Sequence, residues 1–204
     1  MSFSDTYKTI NSPAKGTFRE KGSRFIALAS PVSSVEEVKI IVEKYKKKYH
    51  DARHHSYAYL IGHDKSIWRA NDDGEPSGTA GKPILGQINS HDLTNILIVV
   101  IRYFGGTLLG VSGLINAYRS AAADAISNSE IVERTVREYH EIRFPYARMN
   151  EVMKILKDEN ISQTDQVFEM DCSIKISFRL SAKELILKRF SAVENLSLHY
   201  IETR

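Results

Sequence analysis

The sequence predicts an α+β chain of two units, on three observations. Residues 95–104 form a continuous apolar run, as in a strand covered on both faces. Met170, Cys172, Ile174, Ile176, Phe178 and Leu180 alternate strictly with polar residues, the pattern of a strand with one buried face. Around that second strand, segments of helical and strand period succeed one another in the order β-α-β-β-α-β. The 204 residues fit either one large domain or two small ones, and this change of pattern decides for two.

Taken in order, residues 23–32 read as a strand. Val35, Val38, Ile41, Val42, Tyr45 and Tyr49 mark an amphipathic helix whose polar positions include Lys39, Lys46, Lys47 and Lys48. Residues 56–62 and 65–70 read as paired strands about Gly62-His63-Asp64. A loop without periodicity follows, Asn71 to Pro83, and a short helix starts near Lys82–Ile84. The apolar strand 95–104 comes next. Gly105-Gly106-Thr107 then turns the chain into a helix over 108–126, where Gly110, Gly113, Ala117 and Ala121 permit close packing against the sheet.

The first unit is expected over 1–130, a polar linker over 131–136 and the second unit over 137–204. In the second unit a strand over 137–146 carries His140, Ile142, Phe144 and Tyr146 on one face. Met149, Val152, Met153 and Leu156 stand at helical spacing, and 161–168 is a partner strand for the alternating one. Ser181 with Glu184 has the form of a capping box opening a helix with Leu185, Ile186, Phe190 and Val193. Leu196, Leu198 and Tyr200 alternate as a last strand. This is the element order of a ferredoxin-like sandwich.

Composition restricts function. A net charge of +3 is too small to announce a nucleic-acid binder by itself. One cysteine, Cys172, excludes an intramolecular disulfide framework and a multi-cysteine zinc site. The longest apolar run, Ile96–Ile101, is far short of the roughly 18 residues of a membrane span. The N-terminus is polar and lacks the apolar stretch of a signal peptide, so a soluble, cytoplasmic protein is expected.

Two stretches are candidate sites. The loop over 72–83 gathers Asp72, Asp73, Glu75, Gly74, Gly78, Gly81, Ser77, Thr79 and Lys82. It is no P-loop, because Pro83 follows Gly81-Lys82 and Pro76 stands where the first glycine belongs. It is no EF-hand, since Arg69 and Ala80 fall where carboxylates are required. What remains is a tight surface turn, an anion-holding loop, or an acidic loop for a divalent ion. The second stretch is Arg102-Tyr103-Phe104-Gly105-Gly106, which is either an ordinary strand-to-helix turn or an anion site on free helix amides. An arginine inside an apolar run needs a carboxylate, a ligand or solvent, and Asp72 or Asp73 is the natural partner.

Adjacent His54 and His55 on a strand point to opposite faces and do not chelate one metal together. With Arg53 they suggest a cationic rim, and no metal ligand set, cofactor or catalytic residue is nominated. Cys172 falls on the buried face of its strand, and no Gly-x-Ser-x-Gly elbow is present. The polar face Asp171, Ser173, Lys175, Ser177 and Arg179 lacks the aromatics of an RNA-recognition motif.

Several segments together resemble the IMPACT/YigZ family: Ser23-Arg24-Phe25-Ile26, Asp51-Ala52-Arg53-His54-His55, Asn71 through Pro83, and Arg102-Tyr103-Phe104-Gly105-Gly106 followed by Leu109-Gly110 and Gly113-Leu114. The likeness runs in order through most of residues 17–127. The resemblance implies that the first unit has the fold of the second domain of a small-subunit ribosomal protein. It implies likewise that the second unit is similar to the last domain of elongation factor G, as in the bacterial two-domain form. Eukaryotic members restrain a starvation-responsive initiation-factor kinase by competing for its ribosome-associated activator, an interaction attributed largely to an extra N-terminal domain. This sequence starts close to the shared unit. What the resemblance implies for it is therefore contact with RNA, the ribosome or a translation-machinery protein.

The reading is a non-catalytic translation regulator with an anion-accepting groove lined by Arg53, His54, Ser77, Thr79, Lys82, Arg102, Gly105 and Gly106. Arg53, Lys82 and the amides near Gly105-Gly106 contact phosphates, while Asp72, Asp73 and Glu75 hold the loop or an arginine, and Gly74, Gly78 and Gly81 shape it. Two alternatives stay open: a metal-assisted phosphoesterase or dipeptidase using the acidic loop, and a protein-interaction adaptor.

Overall fold

The computed structural model describes residues 5–204; the polar residues 1–4, part of the stretch expected to lack a signal peptide, lie outside them. In chain order the elements are β1 (Thr6–Ile10), β2 (Ala14–Glu20), β3 (Ser23–Pro31), α1 (Val35–Lys48), β4 (His54–Ile61), β5 (Ile67–Asn71), α2 (Gly81–Ser90), β6 (Ile96–Tyr103), α3 (Gly110–Ser127), β7 (Ile131–Thr135), β8 (Arg137–Pro145), α4 (Met149–Asp158), β9 (Ser162–Val167), β10 (Asp171–Arg179), α5 (Lys183–Ser191) and β11 (Ser197–Thr203). The chain divides into two compact units, Tyr7–Arg134 and Thr135–Arg204, the latter with the described residues up to Thr6.

The first unit is built on a five-stranded sheet in the order β2-β3-β6-β4-β5, with β6 antiparallel to both neighbours. Its apolar run explains its place. Ile96, Ile98 and Val100 face a core with Ile84, Ile88, Tyr118 and Ala121 of α2 and α3. Leu97, Val99 and Ile101 face a second core with Val38 and Val42 of α1. Helices on both faces leave no solvent side for polar residues. Ser34 caps α1, its Oγ accepting the Glu37 amide, while Glu37 takes the Ser33 amide in return.

Of the four small residues expected to permit close packing, Ala117 and Ala121 are fully buried in the core between α3 and the sheet, whereas the two glycines take no part in the tight approach. Gly110 has open space beside it, and Gly113 meets only Leu109. Gly16 of β2 instead lies against α3, where a Cβ would stand 2.2 Å from the Ala125 nitrogen. Strands β1 and β2 carry no periodicity in the sequence reading. The segment expected as a linker, 131–136, is largely β7, which pairs with β1 in a two-stranded ribbon. Short, mostly solvent-facing strands are polar enough to pass for linkers.

The second unit is a four-stranded sheet in the order β11-β8-β10-β9, all neighbours antiparallel, with the βαββαβ connectivity of a ferredoxin-like sandwich. Ile142 and Phe144 of β8 and Cys172, Ile174, Ile176 and Phe178 of β10 meet Val152, Leu156, Ile186 and Phe190 of α4 and α5. The alternation stops earlier than its sequence suggests. Tyr146 and Leu180 sit in short 3-10 turns, and Met170 is exposed.

The expected capping box at Ser181 is absent, because α5 starts at Lys183 without a side-chain cap. Ser181 Oγ donates instead to Asp5, 2.6 Å away, whose carboxylate also takes Arg179 Nη2 at 2.8 Å and Nε at 3.0 Å. The bond from Arg179, then that from Ser181, outweigh burial and hold the Asp5 carboxyl at about 2, below its ordinary 3.8. Two cations of this sheet pair within it, Lys175 with Asp165 and Arg143 with Glu141. No helix among the described residues is long and apolar enough to cross a membrane.

Two outcomes follow from these contacts. Gly16→Ala forces β2 away from α3 and lowers stability by about 2 kcal/mol, read as a lower urea midpoint at unchanged slope. An unchanged midpoint contradicts the packing. A carboxyl with a depressed folded pKa contributes stability above its unfolded pKa and loses it as pH falls towards the folded value. The urea-midpoint gap between the natural protein and Asp5→Asn is therefore present at pH 6 and closes as pH falls from about 4 to about 2. A gap independent of pH contradicts it.

Candidate functional site

The acidic loop and the strand end carrying Arg102 do converge, through contacts that consume most of their polar groups. Residue Ala80 at the start of α2 has no capping side chain. Asp72 supplies the cap from the far end of the loop. Its Oδ1 accepts the amides of Ala80 (3.0 Å) and Gly81 (2.8 Å), and its Oδ2 that of Gly78 (2.8 Å). Burial pushes the Asp72 carboxyl up, but the three amides outweigh burial and hold it below the usual carboxylate range. A helix start that could receive an anion is thus filled by the chain's own carboxylate.

The next two residues turn the loop back. Asp73 and Gly74 have φ of 45° and 85°, and the Glu75 amide donates to the Asp72 carbonyl. Two successive positive φ values at the centre of a turn favour Asp-Gly, which stands there. The Asp73 carboxylate takes the His55 amide at 2.7 Å and lies 3.6 Å from Lys46 Nζ.

Glu75 is directed inward. Arg102 Nη1 donates to its two oxygens at 2.7 and 2.9 Å, and Tyr118 Oη donates to Oε1 at 2.8 Å. All three residues are more than nine-tenths buried. Burial pushes the Tyr118 phenol above its ordinary range, so it stays a donor. Ser56 Oγ donates to the Asp72 carbonyl at 2.7 Å and lies 3.4 Å from Tyr118 Oη. Arg102 is therefore paired by Glu75 rather than by Asp72 or Asp73, and its charge is already neutralised. Its guanidinium stands over the rings of Phe25 and Phe104.

The expected single groove resolves into two depressions. Arg53, His54 and Arg102 line a cavity of about 510 Å³ with Asp51, Tyr103, Phe104 and Leu108. Lys82 lines a separate depression with Gly78, Gly86 and Arg119 between α2 and α3. Thr79 is buried and its hydroxyl donates to the Pro76 carbonyl, so it is unavailable to a ligand, whereas Ser77 is exposed. The Gly105 amide donates to Ser23 Oγ, and Gly105 packs so closely on Gly22 that a Cβ would meet its carbonyl carbon at 1.9 Å. Helix α3 starts only at Gly110, so the amides of Gly105 and Gly106 are not those of a helix start. Gly106, with φ of 86°, stands in open space.

At the cavity, His54 Nδ1 is 2.8 Å from the Asp73 carbonyl. A carbonyl only accepts, so Nδ1 is the donor of this bond. His55 points the other way, to the Tyr49 carbonyl. Tyr103 Oη donates to Asp51 Oδ1 at 2.8 Å, and burial, then Asp51, pushes its phenol up. Arg24 stacks over Tyr103 at 4.8 Å, and Arg53 is exposed without a partner among the described residues. Phe104 and Leu108 are 57% and 82% exposed beside these cations. Sequence reasoning missed Tyr118, Ser56 and Leu108 around this candidate site, and gave Asp51 and Phe104 no role beyond their place in the Asp51–His55 and Arg102–Gly106 stretches. Tyr118, a bulky polar residue in a helix of small ones, carried a readable signal.

Among the described residues, no cluster of three or more His, Cys, Asp or Glu side chains suits a metal ion. Each loop carboxylate is instead bonded to protein donors.

A double-mutant cycle checks the buried pair. Glu75→Gln strands the Arg102 charge and costs about 3 kcal/mol in urea denaturation, and adding Arg102→Met to it restores much of that loss. Additive losses contradict the pairing.

A sequence model of the Impact N-terminal domain matches residues 21–126, just over half of the chain. The IMPACT family member YvyE of Bacillus subtilis is 35% identical over 153 residues, spanning 75% of this chain and 70% of the relative. YigZ of Escherichia coli, also an IMPACT family member, is 39% identical over 131 residues, spanning 60% of this chain and 64% of the relative. A crystal structure of a hypothetical protein superposes with a TM-score of 0.73 at 27% identity, covering 97% of this chain and 98% of that one.

Proposed function

The chain belongs to the IMPACT family, and on that premise we propose that it is a non-catalytic, translation-associated factor that binds single-stranded RNA at the loop-bearing end of its first sheet. One observation carries the reading: unpaired cationic and exposed aromatic side chains share the end of the sheet where β3, β4 and β6 meet. Register puts Arg24 opposite Tyr103 and His54 opposite Arg102. The Gly22–Gly105 contact holds the turn of the β2–β3 hairpin, which carries Arg19, Glu20 and Lys21, against the residue that follows Phe104. Guanidinium groups for phosphates interleaved with rings for bases are the elements of a single-strand surface.

The buried pair sharpens this reading. Because Glu75 faces inward to Arg102, and Asp72 and Asp73 face α2 and β4, the acidic loop adds little negative charge to the cavity mouth. Phosphates then fall to Arg53 and Arg24, in place of Arg102 and the Gly105-Gly106 amides. Lys82 and Arg119 offer a second, separate cationic patch. The metal-assisted alternative needs free carboxylates, and those of the loop are committed to amides, to Lys46 and to Arg102. What the family resemblance implies, contact with RNA, the ribosome or a translation-machinery protein, agrees with a partner in the translation machinery.

Purified protein is expected to co-sediment with ribosomes, and to bind a fluorescent single-stranded RNA, at about 50 mM salt and to be largely released at about 200 mM. Arg53→Gln weakens binding uniformly across sequences and reduces the log–log salt slope by about 0.7. Absence of association at both salt concentrations, with protein in excess, overturns the proposal.

A further inference from the structure

We propose that the cavity beside Phe104 receives one unstacked guanine of the bound strand. The inference rests on the RNA reading above and names the group that this site takes.

Four observations combine here. The cavity of about 510 Å³ is large enough for a base and lies beside an exposed ring rather than under a closed lid. Phe104 is more than half exposed, and Leu108 still more so, although both belong to the loop that frames the cavity. An apolar pair so placed beside cations has no covering element of its own within the described residues, and the face of a base would cover it.

The polar groups then select the edge. Asp51 Oδ1 is taken by Tyr103, while Oδ2 has no donor among the described residues. That oxygen offers an acceptor to the N1–H and N2 amino groups of guanine. Arg102, which lines the cavity, is nine-tenths buried, and its Nε–H has no acceptor among the described residues. A buried donor left unpaired is costly, and the guanine O6, adjacent to N1 on the same edge, is an acceptor of the matching kind. Arg53, exposed at the mouth, is placed for the adjoining phosphate. Uracil has the smaller ring and a single N–H donor on this edge.

The test compares a fluorescein-labelled octamer of uridines with the same strand carrying one central guanosine, by anisotropy at low salt. The guanosine strand is expected to bind roughly tenfold more tightly. Phe104→Ala removes that preference, Phe104→Trp keeps it, and neither change alters the salt slope. Since Phe104 is largely exposed, both variants are expected to keep the circular dichroism of the natural protein. Equal affinity for the two strands, or a preference that survives Phe104→Ala, overturns the guanine site while leaving salt-dependent RNA binding standing. Failure of both strands to bind overturns the RNA reading and this one together.

Discussion

The buried ion pair between Arg102 and Glu75 sets the arrangement of the site. It ties the end of the central strand to the acidic loop, and Tyr118 ties the same carboxylate to α3. Burying two charges is expensive, and a pair survives in such surroundings only when its hydrogen bonds are well made. Here Glu75 receives three, from two residues on two different elements. The loop is consequently held with one acid turned under it and another spent on the helix start. What remains outward at the cavity mouth is Asp51, Arg53, His54 and the uncovered apolar pair Phe104 and Leu108.

This geometry bears on how the proposed anion affinity is delivered. Backbone amides at a helix start are the obvious receptor for phosphate, and α2 has such amides. Asp72 occupies them, bonded to Gly78, Ala80 and Gly81. In the proposed function, recognition therefore falls to side chains, which are longer and better suited to a flexible strand than to one fixed ion. The second unit shows a similar economy, since Lys175 and Arg143 of its sheet are paired with Asp165 and Glu141.

Much of the architecture was legible because burial leaves a periodic trace. The run through β6 has helices on both sides, and the alternation of β10 has them on one. The β1–β7 ribbon and β2 were not legible, because solvent-facing strands owe their pairing to distant partners rather than to their own pattern. Ser181 shows the limit of local motifs: its capping-box spacing is real, but Asp5, remote in sequence, takes its hydroxyl. The same holds at the site. That Arg102 needs a carboxylate followed from its apolar neighbours, whereas the choice of Glu75 over Asp72 or Asp73 depends on a turn whose two positive φ values reverse the loop. The likeness of motifs located Arg53 and Arg102 on one surface, but it did not separate the arginine that organises from the arginine that is free.

That separation is the centre of the proposed function, in which Arg102 builds the site and the Arg53–Phe104 end makes contact. Photo-crosslinking to a single-stranded RNA carrying 4-thiouridine, followed by mass spectrometry of the peptides, tests it most directly. Adducts are expected on the peptides spanning 51–54 and 103–108. Adducts confined to the Lys82–Arg119 depression, or to the second unit, would contradict it.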